Sequence, residues 1–506
     1  MVWQPGHRTQ RPSGALPCRG SVTRGPGTCS NQRVGASGEG ESGSFDIARE
    51  SYQETSRHET ARRICSPVLE RLPIPAPAAP WVRACLVVGV AVLLSGLAAQ
   101  YPALRFVDFI RFSERARQLW QGAHLSDALY PIGYPALLAL LAPVCGSALV
   151  AGKAISVLSG VVLVAAVASR LGAGAALWVL CGHAMLLAGT SEGTDLPALS
   201  LALSAVLVVE RPMLSAALLS GALLMRYTAV AAVPVVLLLS KHRLRALVTL
   251  AMLTAPHWAV SLYTGASLLP DQSQNITIAA GSPVPLLSLD TLRRWPGGCV
   301  RAVIDGAGQP LIALSALGFL PALWRRDRRA WGLVGFALLH VAALGLGFSN
   351  ARLALPVTAC VALGAAWLLP SRLLGGVALV VGVMSSRVPG ENDTEASKAG
   401  AVAKLLAAHP ELSGPVVCTS PWFYRFDGVW IEGGIQLSGL GGGPRMEPNA
   451  LAAKMRTAGA MVVALETSRT RRQAPSLTPL LSNREPEGWQ SVGAPRGWHV
   501  WTLSRR

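Results

Sequence analysis

The sequence RFVDFIRFSERARQLWQGAHLSDALYPIGYP, residues 105–135, lies between the first hydrophobic segment of the chain and a long succession of further ones. It carries three acidic residues, one histidine and four arginines. Charged side chains are costly inside a bilayer unless they face water, a partner or a functional site. The stretch therefore predicts a polar loop at the mouth of a membrane bundle.

Helical spacing within this loop predicts an amphipathic helix that can lie in the membrane interface. Its apolar stripe consists of Phe109, Phe112, Ala116, Leu119 and Trp120. Asp108 stands at the N-terminus of the helix, where a carboxylate either caps backbone N–H groups or is available for chemistry. Gly122 ends the helix, and Tyr130-Pro131 and Tyr134-Pro135 begin a new apolar run.

The composition of the 506-residue chain is that of a polytopic membrane protein. Hydrophobic residues make up 51% and charged residues only 14%, and the charges gather at the two ends and in short clusters between apolar runs. The net charge of +18 is spread along these clusters without a basic-aromatic module, so nucleic acid is not a predicted partner. The nine cysteines include no CxxC pair, which argues against a zinc site or a disulfide framework.

The N-terminal tail, residues 1–78, is rich in Arg, Gly, Ser, Pro and Thr and poor in large apolar residues. Such a segment cannot bury enough surface to fold, so we expect disorder. Arginines precede the first span, Val82–Ala99, and the positive-inside rule therefore places the tail in the cytoplasm and the loop 100–135 outside. The cluster Arg325–Arg329 is the strongest cytoplasmic marker, although the four arginines in the first loop run against the rule.

Further apolar segments predict about eleven transmembrane helices and an external C-terminus. Besides the first span, the single spans are Ala151–Ser169, Ala173–Gly189, Ala198–Val209, Leu247–Tyr263, Leu311–Leu323, Trp331–Phe348, Arg352–Leu369 and Leu373–Met384. The segment Met213–Leu239 has basic residues at both ends, so it predicts a hairpin of two short helices that turns near Arg226. Ile132–Gly146 is short enough to indicate a re-entrant or interfacial helix, and Thr264–Ala307 indicates a loop.

From Asp393 onward the composition becomes that of a soluble domain. Helices and strands alternate in the prediction, as helix Glu395–Ala408, strand Val416–Thr419, helix Asn449–Thr457, strand Ala460–Leu465, a helix near Leu477 and strand His499–Leu503. This alternation is typical of a layered α/β domain. We therefore divide the chain into the tail 1–78, a membrane part 79–390 and a small extracytoplasmic α/β domain 391–506.

Several short motifs follow one another between residues 84 and 387. They are Asp108 with Ala116 and Gly122 before the Tyr-Pro run, the acidic turn Glu192–Asp195, the hairpin segment Gly221–Arg226, the segment Ala255–Gly265 and the Arg352–Pro356 motif. In this order they resemble the GT-C superfamily of membrane glycosyltransferases, which use polyprenyl-phosphate-linked sugars. The nearest branches are the bacterial relatives of protein O-mannosyltransferases and of the aminoarabinose transferase that acts on lipid A.

The resemblance implies an inverting transfer of a sugar from a polyprenyl phosphate to a hydroxyl of a lipid, glycan or protein acceptor. The expected location is the outer face of the cytoplasmic membrane.

Such a transfer step needs a carboxylate that takes the acceptor proton and cations that hold the departing phosphate. Asp108 is the candidate base. Arg226 and Arg352 are candidates for the phosphate, or else anchors that snorkel to water. Glu192 and Asp195 are candidates for holding the acceptor or a divalent cation, the one cofactor considered, although Asp195 before a proline fits a helix cap better.

Two other functions stay open at this point. A flippase for a lipid-linked glycan would carry ionisable residues near the membrane midplane and show related halves, whereas the acidic residues here gather at one face. An inactive homologue that acts in assembly is the other interpretation. It rests on Phe109, where the family often has a second acidic residue, and on Arg111, where the family has an aromatic one. It predicts that loss of the carboxylates leaves function intact.

Overall fold

The computed structural model describes most of the chain after the N-terminal tail. The described residues are 72–100, 104–106, 108–122, 131–263, 288–347, 350–385, 395–412, 414–419, 424–440, 444–482 and 485–504. A bundle of helices spans residues 80–385, and helices with two β-sheets follow from residue 395. The disorder expected for the tail falls almost entirely outside the described residues and stays a prediction.

The first part of the bundle follows the predicted order of apolar segments. Its helices are α1 (Pro80–Ala99), α2 (Asp108–Trp120), α3 (Gly133–Cys145), α4 (Ala148–Leu171), α5 (Ala173–Leu180), α6 (His183–Thr190), α7 (Asp195–Leu207), α8 (Pro212–Met225), α9 (Val233–Leu239) and α10 (Arg243–Tyr263). A 3₁₀ turn, Tyr227–Ala232, joins α8 to α9. Arg226 between them is extended, with φ −160° and ψ 127°, so the helix is interrupted where the turn was predicted, while the predicted hairpin of two membrane crossings stays a prediction.

Helix α2 has the amphipathic character that the sequence predicts. It begins at Asp108, and Gly122 beyond its end has φ +74°, a conformation that favours glycine. Phe109, Phe112 and Ala116 are buried, whereas Trp120 at the end of the stripe is 59% exposed. The stripe therefore packs mainly on protein.

The second part of the bundle begins with a helix where a loop was predicted. Its helices are α11 (Leu289–Ala307), α12 (Pro310–Ser315), α13 (Phe319–Trp324), α14 (Arg328–Gly345), α15 (Leu355–Leu363) and α16 (Ser371–Ser385). The loop prediction for Thr264–Ala307 is wrong from residue 289 onward, because Ser288 caps α11 by accepting a 3.1 Å hydrogen bond from the Thr291 N–H. Gly298 lets α11 approach α14, since a Cβ there would lie 2.3 Å from the carbonyl oxygen of Gly345.

The chain is a multi-pass helical membrane protein. Within the described residues, α1, α4 and α10 are each long and apolar enough to cross a membrane, and two bent pairs raise this number to five. One bent pair is α5 with α6, at 83°, so the span predicted over Ala173–Gly189 is broken where Gly182 adopts an extended conformation. Other apolar helices have only 10–17 residues, and the total of about eleven crossings stays a prediction.

The C-terminal part combines helices with a mixed sheet. Its helices are α17 (Glu395–Ala407), α18 (Pro448–Thr457) and α19 (Thr467–Gln473), and its strands are β1 (Val416–Cys418), β2 (Tyr424–Asp427), β3 (Trp430–Gly433), β4 (Ile435–Gln436), β5 (Val462–Glu466), β6 (Trp489–Gly493) and β7 (Trp498–Leu503). Five strands form one sheet in the order β4-β1-β5-β7-β6, in which β1 is parallel to β4 and β5, and β7 is antiparallel to β5 and β6. The α/β alternation is thus confirmed for β1, β5 and β7. The remaining strands were not predicted, and the boundary at residue 391 stays a prediction.

The antiparallel hairpin β2–β3 packs on the polar-loop helix α2. Ser113 accepts a 2.9 Å hydrogen bond from the Ile431 N–H, and Arg117 forms an ion pair with Glu432. One hydrophobic core is shared by α2, α3, the start of α4 and the C-terminal part. The C-terminal part therefore packs on α2, the helix within the loop that was predicted to carry the site.

Candidate active site

Asp108 is the first residue of α2, and its side chain is 31% exposed. Its Oδ2 accepts a 2.6 Å hydrogen bond from Nη2 of Arg352. Behind it, Phe109 is fully buried against α4, where a Cβ on Gly152 would lie only 2.5 Å from the Phe109 ring. The phenylalanine that departs from the family pattern is thus a packing residue that fixes the start of α2.

Arg352 lies in the turn between α14 and α15. The side chain of Asn350 accepts a 2.8 Å hydrogen bond from the Leu353 N–H, and Nε2 of His340 lies 3.0 Å from the Leu353 carbonyl oxygen. These contacts fix the backbone of the turn. The guanidinium carbon of Arg352 also lies 4.6 Å from the centre of the Phe106 ring, which is within cation–π distance.

Asp195 is the first residue of α7, and its side chain is only 6% exposed. Its Oδ2 lies 2.6 Å from Nε of Arg352, and its Oδ1 forms an ion pair with Arg226. The interpretation of Asp195 as a helix cap is wrong, because Thr194 holds the N-cap position and the Asp195 carboxylate is engaged by two guanidinium groups. Buried carboxylates persist in proteins when they are paired in this way.

Arg226 reaches the site from the break between α8 and the following 3₁₀ turn. Its Nη1 donates a 3.0 Å hydrogen bond to the hydroxyl of Thr194, besides its contact with Asp195. Extended backbone at Arg226 interrupts the helix and directs the chain to this place. Both arginines singled out in the sequence therefore pair with carboxylates.

Glu192 lies in the turn between α6 and α7, but its carboxylate serves a different set of groups. It is fully buried, and its Oε1 accepts hydrogen bonds from the backbone N–H groups of Arg105 and Phe106, the latter 2.7 Å long. Burial raises the pKa of Glu192, while the two N–H groups and the charge of Lys153 act in the opposite direction. The structure thus places four of the five predicted residues together and the fifth beside them.

Three residues of the site were not singled out from the sequence. Phe106 supports Arg352, Tyr134 accepts a 2.9 Å hydrogen bond from the Gly193 N–H, and Lys153 lies close enough to Glu192 to favour its charge. Lys153 is 8% exposed within the span α4, and a lysine in an apolar span is a signal that the sequence does contain. Phe106 and Tyr134 carry no comparable signal.

The electrostatic pattern of the site is an alternation of two carboxylates and two guanidinium groups, Asp108, Arg352, Asp195 and Arg226. An oxyanion that approaches the guanidinium groups would find cationic hydrogen-bond donors already in position. A divalent cation fits less well, because Arg352 stands between the two carboxylates that would have to bind it. No group of three or more His, Cys, Asp or Glu residues suited to a metal occurs among the described residues.

The fold thus consists of a bundle of apolar helices, a polar-loop helix after the first of them and a C-terminal sheet domain that packs on this helix. No protein-family model and no curated protein matches the sequence.

Among solved structures, the chain is similar to ArnT from Cupriavidus metallidurans. The likeness to the apo state has a TM-score of 0.52 at 13% identity and covers 83% of this chain and 97% of ArnT. For ArnT bound to undecaprenyl phosphate, the TM-score is 0.50 at 13% identity, with 84% and 98% covered. The oligosaccharyltransferase of Archaeoglobus fulgidus follows with a TM-score of 0.46 at 12% identity, over 84% of this chain and 74% of that one. At these identities the likeness to ArnT establishes the fold.

Proposed function

We propose that the chain transfers a sugar from a polyprenyl phosphate to an acceptor hydroxyl at the outer face of the cytoplasmic membrane. The observation that carries this proposal is the contact of the partly exposed Asp108 with Arg352, which also reaches Asp195. It combines a proton acceptor with cationic groups in a chain of GT-C fold. Whether the acceptor is a lipid, a glycan or a protein has to be determined in the transfer experiment.

Arg352 and Arg226 are suited to the phosphate of the donor. Guanidinium groups bind phosphate oxygens with two parallel hydrogen bonds, and their charge persists at any physiological pH. Both side chains are partly exposed, at 25% and 20%, so a ligand can reach them. That ArnT has been solved with undecaprenyl phosphate bound supports a lipid phosphate as the leaving group.

In the proposed step, the acceptor oxygen forms a bond with the anomeric carbon, and the bond between that carbon and the phosphate oxygen breaks. The phosphate leaves with the electron pair, and the acceptor proton passes to the Asp108 carboxylate. Attack opposite to the leaving phosphate inverts the anomeric configuration. The developing phosphate charge is stabilised by the arginines, which are in position before the reaction.

The pairing of Arg352 with Asp108 has a consequence for the order of events. A donor phosphate competes for the same guanidinium, so its binding draws Arg352 away from the Asp108 carboxylate. The Asp108 carboxylate is then released from the Arg352 guanidinium and is free to accept the proton of the acceptor hydroxyl. Donor binding before acceptor binding is the expected order.

The position of the site relative to α14 supports the proposal that the site lies at the outer face of the membrane. Arg325–Arg329 lie around the start of this helix, which the positive-inside rule would place on the cytoplasmic side, and Arg352 follows its end. The helix has 18 residues, which is a length of about 27 Å, close to the thickness of the hydrocarbon core. The C-terminal part packs on α2 at the same end through Ser113 and Ile431 and is therefore proposed to be extracytoplasmic.

The first experiment measures transfer of labelled sugar from a panel of polyprenyl-phosphate donors in membranes that contain the wild type or Asp108→Asn. Glu114→Gln is the matched control, because Glu114 lies on the same helix at a similar exposure of 33%, where it pairs with Arg117 and accepts a hydrogen bond from Gln118. We expect transfer by the wild type and the control, and its loss in Asp108→Asn at equal expression and retained folding.

Three outcomes would contradict parts of the proposal. Transfer by Asp108→Asn at the wild-type rate removes Asp108 from the mechanism. Movement of a lipid-linked glycan across the bilayer without any transfer indicates a flippase. Wild-type behaviour of the carboxylate variants in a cell-envelope assembly assay, again without transfer, indicates an inactive homologue.

A further inference from the structure

The carboxylate of Glu192 has an unusual position for a group that would bind an acceptor. The side chain is fully buried in the turn between α6 and α7, and its Oε2 is buried as well as its Oε1. Oε1 is occupied by the backbone N–H groups of Arg105 and Phe106. An acceptor hydroxyl or a hydrated cation would have to displace these bonds of a fully buried side chain, which is costly.

The segment that Glu192 holds leads directly to the reactive residues. The Phe106 ring lies 4.6 Å from the guanidinium carbon of Arg352. The Phe106 carbonyl oxygen accepts a 3.0 Å hydrogen bond from the Phe109 N–H, which belongs to the first turn of α2. The same residue therefore supports the arginine by its ring and the start of the Asp108 helix by its backbone.

We propose that Glu192 is a positioning residue that fixes Arg105–Phe106 so that Arg352 stays aligned with Asp108. This inference rests on the proposed function, since it concerns the alignment of the residues that would bind the donor. It replaces the assignment of Glu192 to an acceptor or a cation.

Neighbouring contacts explain why the carboxylate holds its place. The Arg105 guanidinium lies 3.4 Å from the Thr190 hydroxyl and 3.3 Å from the Ser191 hydroxyl, so the segment is also bound to the preceding residues of the turn. Lys153 on α4 lies close enough to Glu192 to favour its ionised form. The turn and the segment thus form one unit with Glu192 at its centre.

The test uses the full-length chain in lipid nanodiscs and compares Glu192→Ala with Glu192→Gln. The glutamine oxygen can still accept both N–H bonds, so Glu192→Gln should keep the donor KM, the kcat and the pH profile close to wild type. Glu192→Ala should raise the donor KM and the Kd for undecaprenyl phosphate at least roughly tenfold, since misplacement of a positioned group by about 1 Å can cost up to about 100-fold. Hydrogen exchange at the Arg105 and Phe106 amides should accelerate in Glu192→Ala only.

Two further variants keep the proposal falsifiable if Glu192→Ala folds poorly. Phe106→Leu leaves the carboxylate contacts intact but removes the ring beneath Arg352, and should also raise the donor KM. Ser159→Ala is the control, because it removes a hydroxyl on α4 that bonds to the Ile155 carbonyl oxygen of its own helix, and should leave the donor KM unchanged.

A direct role of Glu192 would produce the opposite pattern. Glu192→Gln would then be as inactive as Glu192→Ala, with an unchanged Kd for undecaprenyl phosphate, and that result would overturn the proposal. Failure of the proposed transfer function can be told apart from failure of the positioning role. If the wild type binds undecaprenyl phosphate but transfers no sugar, the Kd and the hydrogen exchange of the variants can still be compared with those of the wild type.

Discussion

Nη2 of Arg352 lies 2.6 Å from Oδ2 of Asp108, although 244 positions separate the two residues along the chain. The same guanidinium contacts Asp195 through Nε. The turn after α14 and the first residues of α2 and α7 therefore meet at one side chain. Arg352 thus bridges the two carboxylates, and the geometry of the site depends on it.

Replacement of this arginine should affect transfer more than folding. Arg352→Gln removes the cation that would stabilise the departing phosphate, and we expect kcat to fall by about 100-fold or more, the usual effect of removing one such donor. Arg352→Lys keeps the charge but cannot contact two carboxylates at once, so its loss should be intermediate. Single-turnover transfer measures the effect. Arg328→Gln, at the other end of α14, is the control, and an unimpaired Arg352→Gln would show that the phosphate binds elsewhere.

The hairpin β2–β3 should depend on the hydroxyl of Ser113. This residue is fully buried and accepts the N–H of Ile431, so Ser113→Ala leaves a buried donor unsatisfied. We expect a loss of about 1–3 kcal/mol in the free energy of unfolding, together with faster proteolysis near residues 424–433. Denaturation in detergent and limited proteolysis measure both effects.

The control for this contact is Ser261→Ala. The Ser261 hydroxyl bonds to the His257 carbonyl of its own helix, so we expect a much smaller change there. Equal stability losses in the two variants would mean that Ser113 does not hold the hairpin on α2.

Several features of the fold and of the site were predictable because their signals are local. The stripe that begins at Phe109 gave the position of α2, and the basic residues at both ends of Met213–Leu239 gave the break at Arg226. Asp108, Asp195, Arg226 and Arg352 were singled out because they lie in motifs that resemble those of the GT-C superfamily, and because charged residues between apolar segments are costly. These four residues do meet in the structure.

Other features were not predictable because they depend on contacts between distant segments. The role of Glu192 requires the backbone of Phe106, which lies 86 positions away. The fit of Phe109 against Gly152 involves two helices that no local pattern pairs. Helix α11 was missed for the same reason, since Gly298 is favourable there only because α14 passes close to it. The local sequence indicates only the propensity for helix or strand, whereas the contacts of Glu192, Phe109 and Gly298 are determined by the packing of distant segments.

Transfer should not require a divalent cation. Arg352 stands between Asp108 and Asp195, and under the proposed function it would supply the positive charge that a metal could otherwise provide at the leaving phosphate. We therefore expect unchanged initial rates after dialysis against EDTA, and no stimulation when Mg²⁺ or Mn²⁺ is restored. A rate that falls with EDTA and recovers with either ion would show that a cation displaces Arg352 or binds beside it.

Asp327 should make the stability of the start of α14 depend on pH. It lies between α13 and α14, where its Oδ1 accepts the Arg329 N–H at 2.9 Å and its Oδ2 pairs with the Arg329 guanidinium at 2.8 Å. Burial acts to raise the pKa of Asp327, but the hydrogen bonds from Arg329 and Trp367 outweigh it and hold that pKa below the ordinary value of 3.8. A carboxyl whose pKa is lowered by folding stabilises the folded state above its unfolded pKa, and this stabilisation is lost as the pH falls through the lowered value.

The variant Asp327→Asn isolates this contribution, because asparagine can still cap α14 but carries no charge. At pH 7 we expect the variant to unfold at a lower temperature than the wild type, because its free energy of unfolding is about 1 kcal/mol smaller. The difference should shrink as the pH falls below about 4, where the wild-type carboxylate takes up a proton. Thermal unfolding in detergent between pH 7 and pH 3 measures this difference in stability. Glu210→Gln is the control, because the Glu210 side chain, which pairs with Arg170, is 42% exposed. Ion pairs this exposed contribute little to stability. A difference that stays constant over this range would mean that the charge of Asp327 does not stabilise the start of α14, and that its cap alone does.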